Sequence, residues 1–479
     1  MMKDECTLRA LAARHGQDHI FAFWGQLNAE GRAALLAQLD QIDFPLMDRL
    51  ARQWVLDQPA PEVFKDIAPV PAIPVASKND PAAREAWDAG EDQLRKGRVG
   101  IFLVAGGQGT RLGFPGPKGC YPIGPITQKT IFQYHAEKIN NLERRYGCVI
   151  PWYIMVSDTN EAATRDYFEA NRYFGLSPQA VTFLKQRMVP CMDENGRFML
   201  EDPGRLAMNP NGHGGCIPAM VENNVLDDAR RRGVEMLSYF QVDNWAVKVA
   251  DPFFIGYHAL RNAAMSSKVH RKREPRESVG VHCLCDGVYR VVEYSELDIY
   301  PQLLETDSDG NVVYYAGNPA MHIMSTDFVQ STYDRFDEFP WHLAHKKIAF
   351  LNPAGQLIKP DKPNAYKFET FVFDALRFAE HPPVALEIHP LGEYTPTKQF
   401  DGDNSVVAAR QSMANLWGGW LERAGCIVPR KTDGDVAVPI EISPSFALDE
   451  EEFHEFSHGQ EWEIGDGLAI AADGSITRP

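Results

Sequence analysis

An apolar run, Ile101-Phe102-Leu103-Val104-Ala105, feeds directly into Gly106-Gly107-Gln108-Gly109-Thr110-Arg111-Leu112-Gly113 and then Pro115-Gly116-Pro117-Lys118-Gly119. No other segment constrains the fold as much. Glycines let the backbone adopt positive φ and come close to an anion, and successive N–H groups then form an anion-binding nest. Arg111 and Lys118 stand where they can neutralise phosphate charge. A P-loop is excluded, because the run lacks a Gly-Lys-Ser/Thr ending. A dinucleotide-binding Rossmann turn fits poorly. That motif opens a helix within the fingerprint, whereas Pro115 and Pro117 keep this chain irregular for about ten residues. No acidic strand end follows about 20 residues on, where the helical segment Thr130–Tyr146 stands instead. The plain alternative is a tight glycine turn between strand and helix.

The texture around this loop is strand–helix alternation. Val99–Ala105, Trp152–Val156, Val181–Leu184 and Met236–Val242 read as buried strands; Thr130–Tyr146, Glu161–Tyr173 and Met220–Arg232 read as helices. Such alternation implies a mostly parallel sheet covered on both faces. Before it, residues 1 to about 95 have helical spacing interrupted by Pro59, Pro61, Pro69, Pro71 and Pro74, and Asp80-Pro81 reads as an N-cap with Pro at the first helical position. Met192–Phe198 reads as a hairpin on its Asn195-Gly196 turn. Val279–Tyr294 and Val312–Ser325 are β-rich, and Asp374–His381 and Ala408–Arg423 read as later helices. The run Asp449-Glu450-Glu451-Glu452 reads as a solvated acidic face. The expected domains are a helical 1–97, a central 98–390 and a C-terminal 391–479.

Composition narrows the partners. With 48 Lys+Arg against 65 Asp+Glu the formal net charge is −17, so general nucleic-acid or anionic-membrane binding is disfavoured. No apolar run approaches the about 20 residues of a membrane span, and Met1–Cys6 lacks the apolar core of a signal peptide. The eight cysteines show no CxxC or Cys/His metal spacing and read as reduced thiols, so a cytoplasmic location is expected.

Other residues carry possible chemistry. Asp243 follows the Met236–Val242 strand, where ligands of open α/β sheets bind. A carboxylate there suits Mg²⁺, which takes one or two carboxylates plus substrate phosphates; equally it suits a helix cap. Gln186 follows the Val181–Leu184 strand. Its amide matches the donor–acceptor edge of uracil, while a surface glutamine is the plain alternative. Lys367 and Lys398 stand near turn residues and are by default solvated. Glu293 and Asn318 lie in β-rich stretches, and Phe371 and Phe373 would serve a core equally well.

The loop GGQGTRLG followed by PKG resembles that of the nucleotide-sugar pyrophosphorylases, and specifically the eukaryote-type UDP-N-acetylglucosamine pyrophosphorylases. The resemblance continues through Asn209-Pro210-Asn211-Gly212-His213-Gly214-Gly215, Val242-Asp243-Asn244, Val291–Glu296 and Ala316-Gly317-Asn318. It ends with Lys367–Asp374 and Thr395-Pro396-Thr397-Lys398, so it covers about residues 98–425. It implies a doubly wound, mixed but mostly parallel central sheet, with an N-terminal helical domain and a small C-terminal α+β domain. It implies a uridylyltransferase that makes a UDP-sugar and pyrophosphate from UTP and a sugar 1-phosphate.

By the same resemblance Ala105, Gly106, Gly107, Gly109, Thr110, Lys118, Gln186, Gly212, Asp243 and Lys367 hold the nucleotide, with Mg²⁺ on Asp243. His213, Glu293, Asn318, Phe371, Phe373 and Lys398 hold the sugar phosphate, and Arg111, Lys118 and Lys398 act in catalysis. His213 departs from the pattern. Hexosamine-specific relatives carry Asn there, and glucose-type or broad-specificity relatives carry Gly-His-Gly. Yet Val291–Glu296 and Ala316-Gly317-Asn318-x-Ala320-x-His322 resemble the hexosamine branch, so N-acetylglucosamine 1-phosphate is the first expected acceptor and glucose 1-phosphate the alternative. A nicotinamide-dependent oxidoreductase and a non-catalytic sugar-nucleotide-binding protein are the competing functions.

Overall fold

A computed structural model of the chain describes residues 3–57, 62–380, 383–457, 460 and 462–479. The expectations placed on Met1, Met2, Pro59, Pro61 and His381 lie outside them. The chain forms two compact units, each assembled from three segments. The first is Met1–Val63, Gln186–Gly215 and Glu338–Asp374; the second is Phe64–Lys185, Cys216–Asp337 and Ala375–Pro479. This division cuts the chain elsewhere than the expected boundaries. Residues 64–97 and 391–479 belong to the second unit, and two inserted segments join the N-terminal helices in the first.

The second unit is built on a mixed sheet of eleven strands among the described residues. Val99–Val104 lies in its parallel part, between and parallel to both Met236–Gln241 and Trp152–Val156, and Val181–Lys185 forms the edge beyond. The four expected strands thus all form, within a residue or so at their ends. Trp152–Val156 is buried along its whole length, which is why it reads as a continuous apolar run. Trp152 and Tyr153 point to opposite faces. The Trp152 ring meets Phe132 of the Ile131–Tyr146 helix, and the Tyr153 hydroxyl donates to Asp228 of the Val225–Arg232 helix at 3.0 Å. Helices therefore cover both faces. On the other side of Met236–Gln241 the sheet turns antiparallel through His322–Ser325 and Met265–Arg271.

Local signals explain the element ends. Thr130 caps its helix by accepting from Gln133 N, Asp80 caps Pro81–Arg95 by accepting from Ala82 N, and Gly97 follows with φ +67°. Pro81–Arg95 and Pro252–Leu260 cross at two glycine notches. A Cβ on Gly256 would lie 1.6 Å from Ala86 O, and one on Gly90 1.9 Å from Pro252 O.

Several expectations change. Met220–Arg232 is not one helix but two, Cys216–Glu222 and Val225–Arg232, broken where Asn224 takes φ +58°. The expected Glu161–Tyr173 helix stops at Ala170, and Tyr173 and Phe174 adopt left-handed backbone. Asp374–His381 is replaced by a 3-10 turn over Val372–Phe378. The acidic run is not a solvated face. Asp449 caps the Glu450–Phe456 helix, and Glu452 is buried, accepting from Asn141 Nδ2 and Leu448 N while pairing with Arg145. The eight cysteines form no disulfide.

The first unit packs the helices Glu5–Arg14, Ala29–Asp40 and Phe44–Leu50 around Leu8, Leu35, Phe44, Phe198 and Phe368. Short antiparallel pairs complete it, including His342–Lys346 with Ala365–Glu369. The expected Asn-Gly hairpin shrinks to one Met192/Phe198 bridge closed by a turn in which Gly196 has φ +73°. It belongs to this unit rather than to the strand–helix alternation.

Candidate active site

The parallel register decides what meets at the carboxyl edge of the central strands. Val104 is level with Gln241, and Val242 N donates to Val104 O at 3.0 Å. The residues that follow, Ala105 on one strand and Asp243 on the other, must therefore emerge side by side. The loop then folds back on itself. Lys118 N donates to Gly107 O, Gly109 N donates to Gly116 O, and Lys118 Nζ comes 3.9 Å from Asp243 Oδ2. Both side chains of this pair are only 16% exposed.

The glycine loop is held by its carbonyls. Asn160 Nδ2 donates to Ala105 O at 2.8 Å and Gly107 O at 3.3 Å, and Ser157 Oγ donates to Gly106 O at 2.9 Å. The N–H groups of Gly106 and Gly107 have no acceptor among the described residues. A loop whose oxygens are engaged and whose amides are open suits an anion. Thr110 and Arg111 are exposed, and Arg111 has no ion pair among the described residues. Gly109 is buried against Phe114.

Asn244, 3% exposed, ties the strand end to the segment that carries Lys398. Its Nδ2 donates to Glu393 O at 2.7 Å, its Oδ1 accepts from Thr395 N at 3.0 Å, and Thr397 N donates to Asp243 O at 2.8 Å. Lys398 itself is exposed, with its backbone N donating to Asn404 O. Glu393 anchors this segment from behind. Burial pushes its carboxyl up, but Lys248 and Lys268 overcome that and hold it down at about 2. Elsewhere in this unit Asn318 and Glu293 meet at Gly280. Asn318 N donates to Gly280 O, and a Cβ on Gly280 would touch Glu293 Oε1. Asn318 is buried; Glu293 caps the Tyr294–Glu296 turn reciprocally with Glu296.

In the first unit Gln186 is buried, not a surface glutamine. Its Nε2 donates to Asn211 Oδ1 at 3.1 Å and to Gly212 O. Gly212 has φ +82°, and a Cβ there would lie 2.3 Å from Thr370 O, so only glycine fits. His213 stacks on Phe371 at 5.1 Å and 20° and leans on Phe373 at 5.7 Å. Its Nδ1 accepts from Val372 N at 3.1 Å, so the neutral ring carries its proton on Nε2. Burial, helped by His342, pushes its pKa down to about 3. Lys367 is half-buried on the Ala365–Glu369 strand, level with Ala344 and not in a turn.

The sequence profile of the UTP–glucose-1-phosphate uridylyltransferase family matches residues 56–372. The chain belongs to this family. Among relatives, the human UDP-N-acetylhexosamine pyrophosphorylase-like protein 1 is 35% identical, with 96% of each chain covered. The UDP-N-acetylglucosamine pyrophosphorylase of Saccharomyces cerevisiae is also 35% identical, covering 92% of this chain and 95% of its own. Among solved structures, the uridine diphosphate N-acetylglucosamine pyrophosphorylase from Trypanosoma brucei, in complex with inhibitor, superposes with a TM-score of 0.79 at 27% identity and 95% coverage of both chains. The mixed α/β fold is that of the UDP-sugar pyrophosphorylases, and the family activity is uridylyl transfer. Among the described residues no helix is long and apolar enough to cross a membrane.

Within this family frame, sequence reasoning missed three positions. Ser157 and Asn160 clasp the loop carbonyls. His342 stacks on Phe371 at 4.3 Å and bonds Asp374 Oδ2 through Nε2 at 2.8 Å, extending the ring stack to three. An Asn just beyond the Trp152–Val156 strand was a visible signal for the clasp. Nothing local marks His342, which stands 29 residues before Phe371.

Among the described residues no cluster of three His, Cys, Asp or Glu side chains offers a ready metal cage. Asp243 is a single carboxylate with Lys118 beside it. That donor set fits a Mg²⁺ that keeps most of its ligands on phosphate and water.

Proposed function

We propose that the protein joins UTP to N-acetylglucosamine 1-phosphate, releasing pyrophosphate. A phosphate oxygen of the sugar forms a bond to the α-phosphorus, and the α–β bridging bond breaks with its electrons on pyrophosphate. Charge balances without a proton or a covalent enzyme intermediate. Such a transfer needs placement and charge neutralisation more than covalent help. The open amides of Gly106 and Gly107, with Thr110, cradle the triphosphate. Arg111 and Lys118 meet the charge that grows on the leaving pyrophosphate. Lys398 orients the attacking phosphate. Asp243 would hold Mg²⁺, which when bound supplies further neutralisation of the phosphates.

Gln186, with Gly212, reads the uracil edge, and Lys367 contacts phosphate. Glu293, Asn318, Phe371 and Phe373 hold the sugar, and His213 offers it Nε2–H as a neutral donor. The single observation that carries the reading is Lys118 beside Asp243 at the mouth of a loop with open amides.

Glucose 1-phosphate is the second acceptor, because His213 replaces the expected Asn. A pyrophosphate-release assay with UTP and the 1-phosphates of N-acetylglucosamine, N-acetylgalactosamine and glucose tests both. The proposal predicts the highest kcat/KM for N-acetylglucosamine 1-phosphate. A clear preference for glucose 1-phosphate would reverse the ranking, and no release with any of the three would end the reading.

A further inference from the structure

The second unit holds a cavity of about 770 Å³ that none of the expected site residues line. Its walls carry four indoles, Trp87, Trp245, Trp417 and Trp420, with Leu142 and Leu416. That size and apolar character suit a small planar or aliphatic body. Its charged groups are less ordinary, because all but one are already matched. Lys78 pairs with Glu451, Arg145 with Asp449 at 3.4 Å, and Lys248 with Glu393 at 3.1 Å. Asp251 pairs with Lys268 at 2.6 Å, and Glu450 with both Arg423 and His454.

Lys138 is the exception. It is 9% exposed and has no ion pair among the described residues. Glu393 acts on it only from beyond ion-pair reach and is already engaged twice. Lys138 Nζ donates to Trp245 O and to Val247 O at 2.9 Å, and an ammonium has three protons. The Trp245 ring centroid is 5.7 Å from Lys138 Nζ. A buried charge without a counter-charge leaves the wall short of one negative acceptor. A buried charge without a partner is costly, and an anion that supplies one recovers that cost on binding.

We infer that this cavity binds a small amphipathic monocarboxylate, its carboxylate on Lys138 and its apolar body among the indoles. The burial that makes the site also pushes the Lys138 pKa down to about 7. Near neutral pH part of the lysine is therefore uncharged, and an arriving carboxylate draws a proton onto it.

The test is calorimetry on the whole protein without nucleotide, using 1-naphthoate and its uncharged isostere 1-naphthamide. At pH 7.5 the carboxylate is expected to bind about tenfold tighter than the amide, as a charged hydrogen bond warrants. The measured heat should differ between phosphate and Tris buffers by the enthalpy of the proton taken up. Lys138→Met should erase the preference for the carboxylate. Because that variant strips two backbone carbonyls of their donor, Leu416→Trp serves as a second arm; it fills the cavity from a half-buried wall position and should abolish both ligands' binding. Equal affinity for acid and amide overturns the inference, as does undiminished binding to folded Leu416→Trp or the absence of heat with millimolar 1-naphthoate. None of these readouts depends on uridylyl transfer.

Discussion

Replacing Lys118 by Met keeps the stem and removes the charge. Its ammonium stands 3.9 Å from Asp243 Oδ2. At an effective dielectric near 20 the attraction over that distance is about 4 kcal/mol. Desolvation of the two groups offsets most of that, and the net contribution to folding is about 1 kcal/mol. The melting temperature should fall by less than about 3 °C. Turnover should suffer far more. Pyrophosphate gathers charge as the α–β bond breaks, so the lost interaction is strongest in the transition state, and its removal should lower kcat by about 10²–10³. Pyrophosphate release under saturating UTP and N-acetylglucosamine 1-phosphate measures the first quantity, and a thermal melt the second. A folded Lys118→Met enzyme within about threefold of wild-type turnover would refute the assignment. A melting temperature lowered by about 10 °C or more would show instead that Lys118 is chiefly structural.

Gly212→Ala should fail to fold or lose about 3 kcal/mol or more, because its Cβ would lie 2.3 Å from Thr370 O at a φ of +82°; a normal denaturation midpoint would contradict this. His213→Asn should raise the N-acetylglucosamine-over-glucose ratio of kcat/KM by about tenfold, and an unchanged ratio would remove His213 from acceptor choice. Folding stability should fall as pH drops below 6.5. Burial depresses His258 to about 4 and His282 to about 3, so the unfolded chain binds protons first and the stability present above 6.5 is lost progressively down to those values. At pH 5 that is 1.5 units at about 1.36 kcal/mol each, or about 2 kcal/mol per histidine. Urea midpoints at pH 7.5 and 5.0 read it, and a midpoint no lower at pH 5.0 would show that the burial does not act this way.

The four strands of the parallel core could be read directly, because a strand buried on both faces must be apolar along its length, as Trp152–Val156 is. The phosphate loop was legible for a related reason: clustered glycines after such a strand have few other uses. Helix starts at Thr130 and Pro81 followed from side chains that bond their own next turn. Helix breaks did not follow so readily. Asn224, Tyr173 and Phe174 take left-handed backbone at points where nothing in the local spacing demands it. Glu452 looked solvated because its partners, Arg145 and Asn141, are some three hundred residues away in the chain.

The sequence by itself determined the α/β class, the loop, the position of Asp243 after its strand, and the family. Each of these is written in contiguous residues or in periodicities of two and 3.6, which need no partner to be seen. Only the tertiary structure decided which residues act together. Parallel register set Asp243 beside the loop, Asn244 tied Lys398's segment to the strand end, and Thr370 required glycine at position 212. Packing fixed the tautomer of His213 and left Lys138 without a counter-charge. Such facts depend on which distant groups share a few ångströms, and burial sets the energy of those meetings without leaving a local mark in the chain.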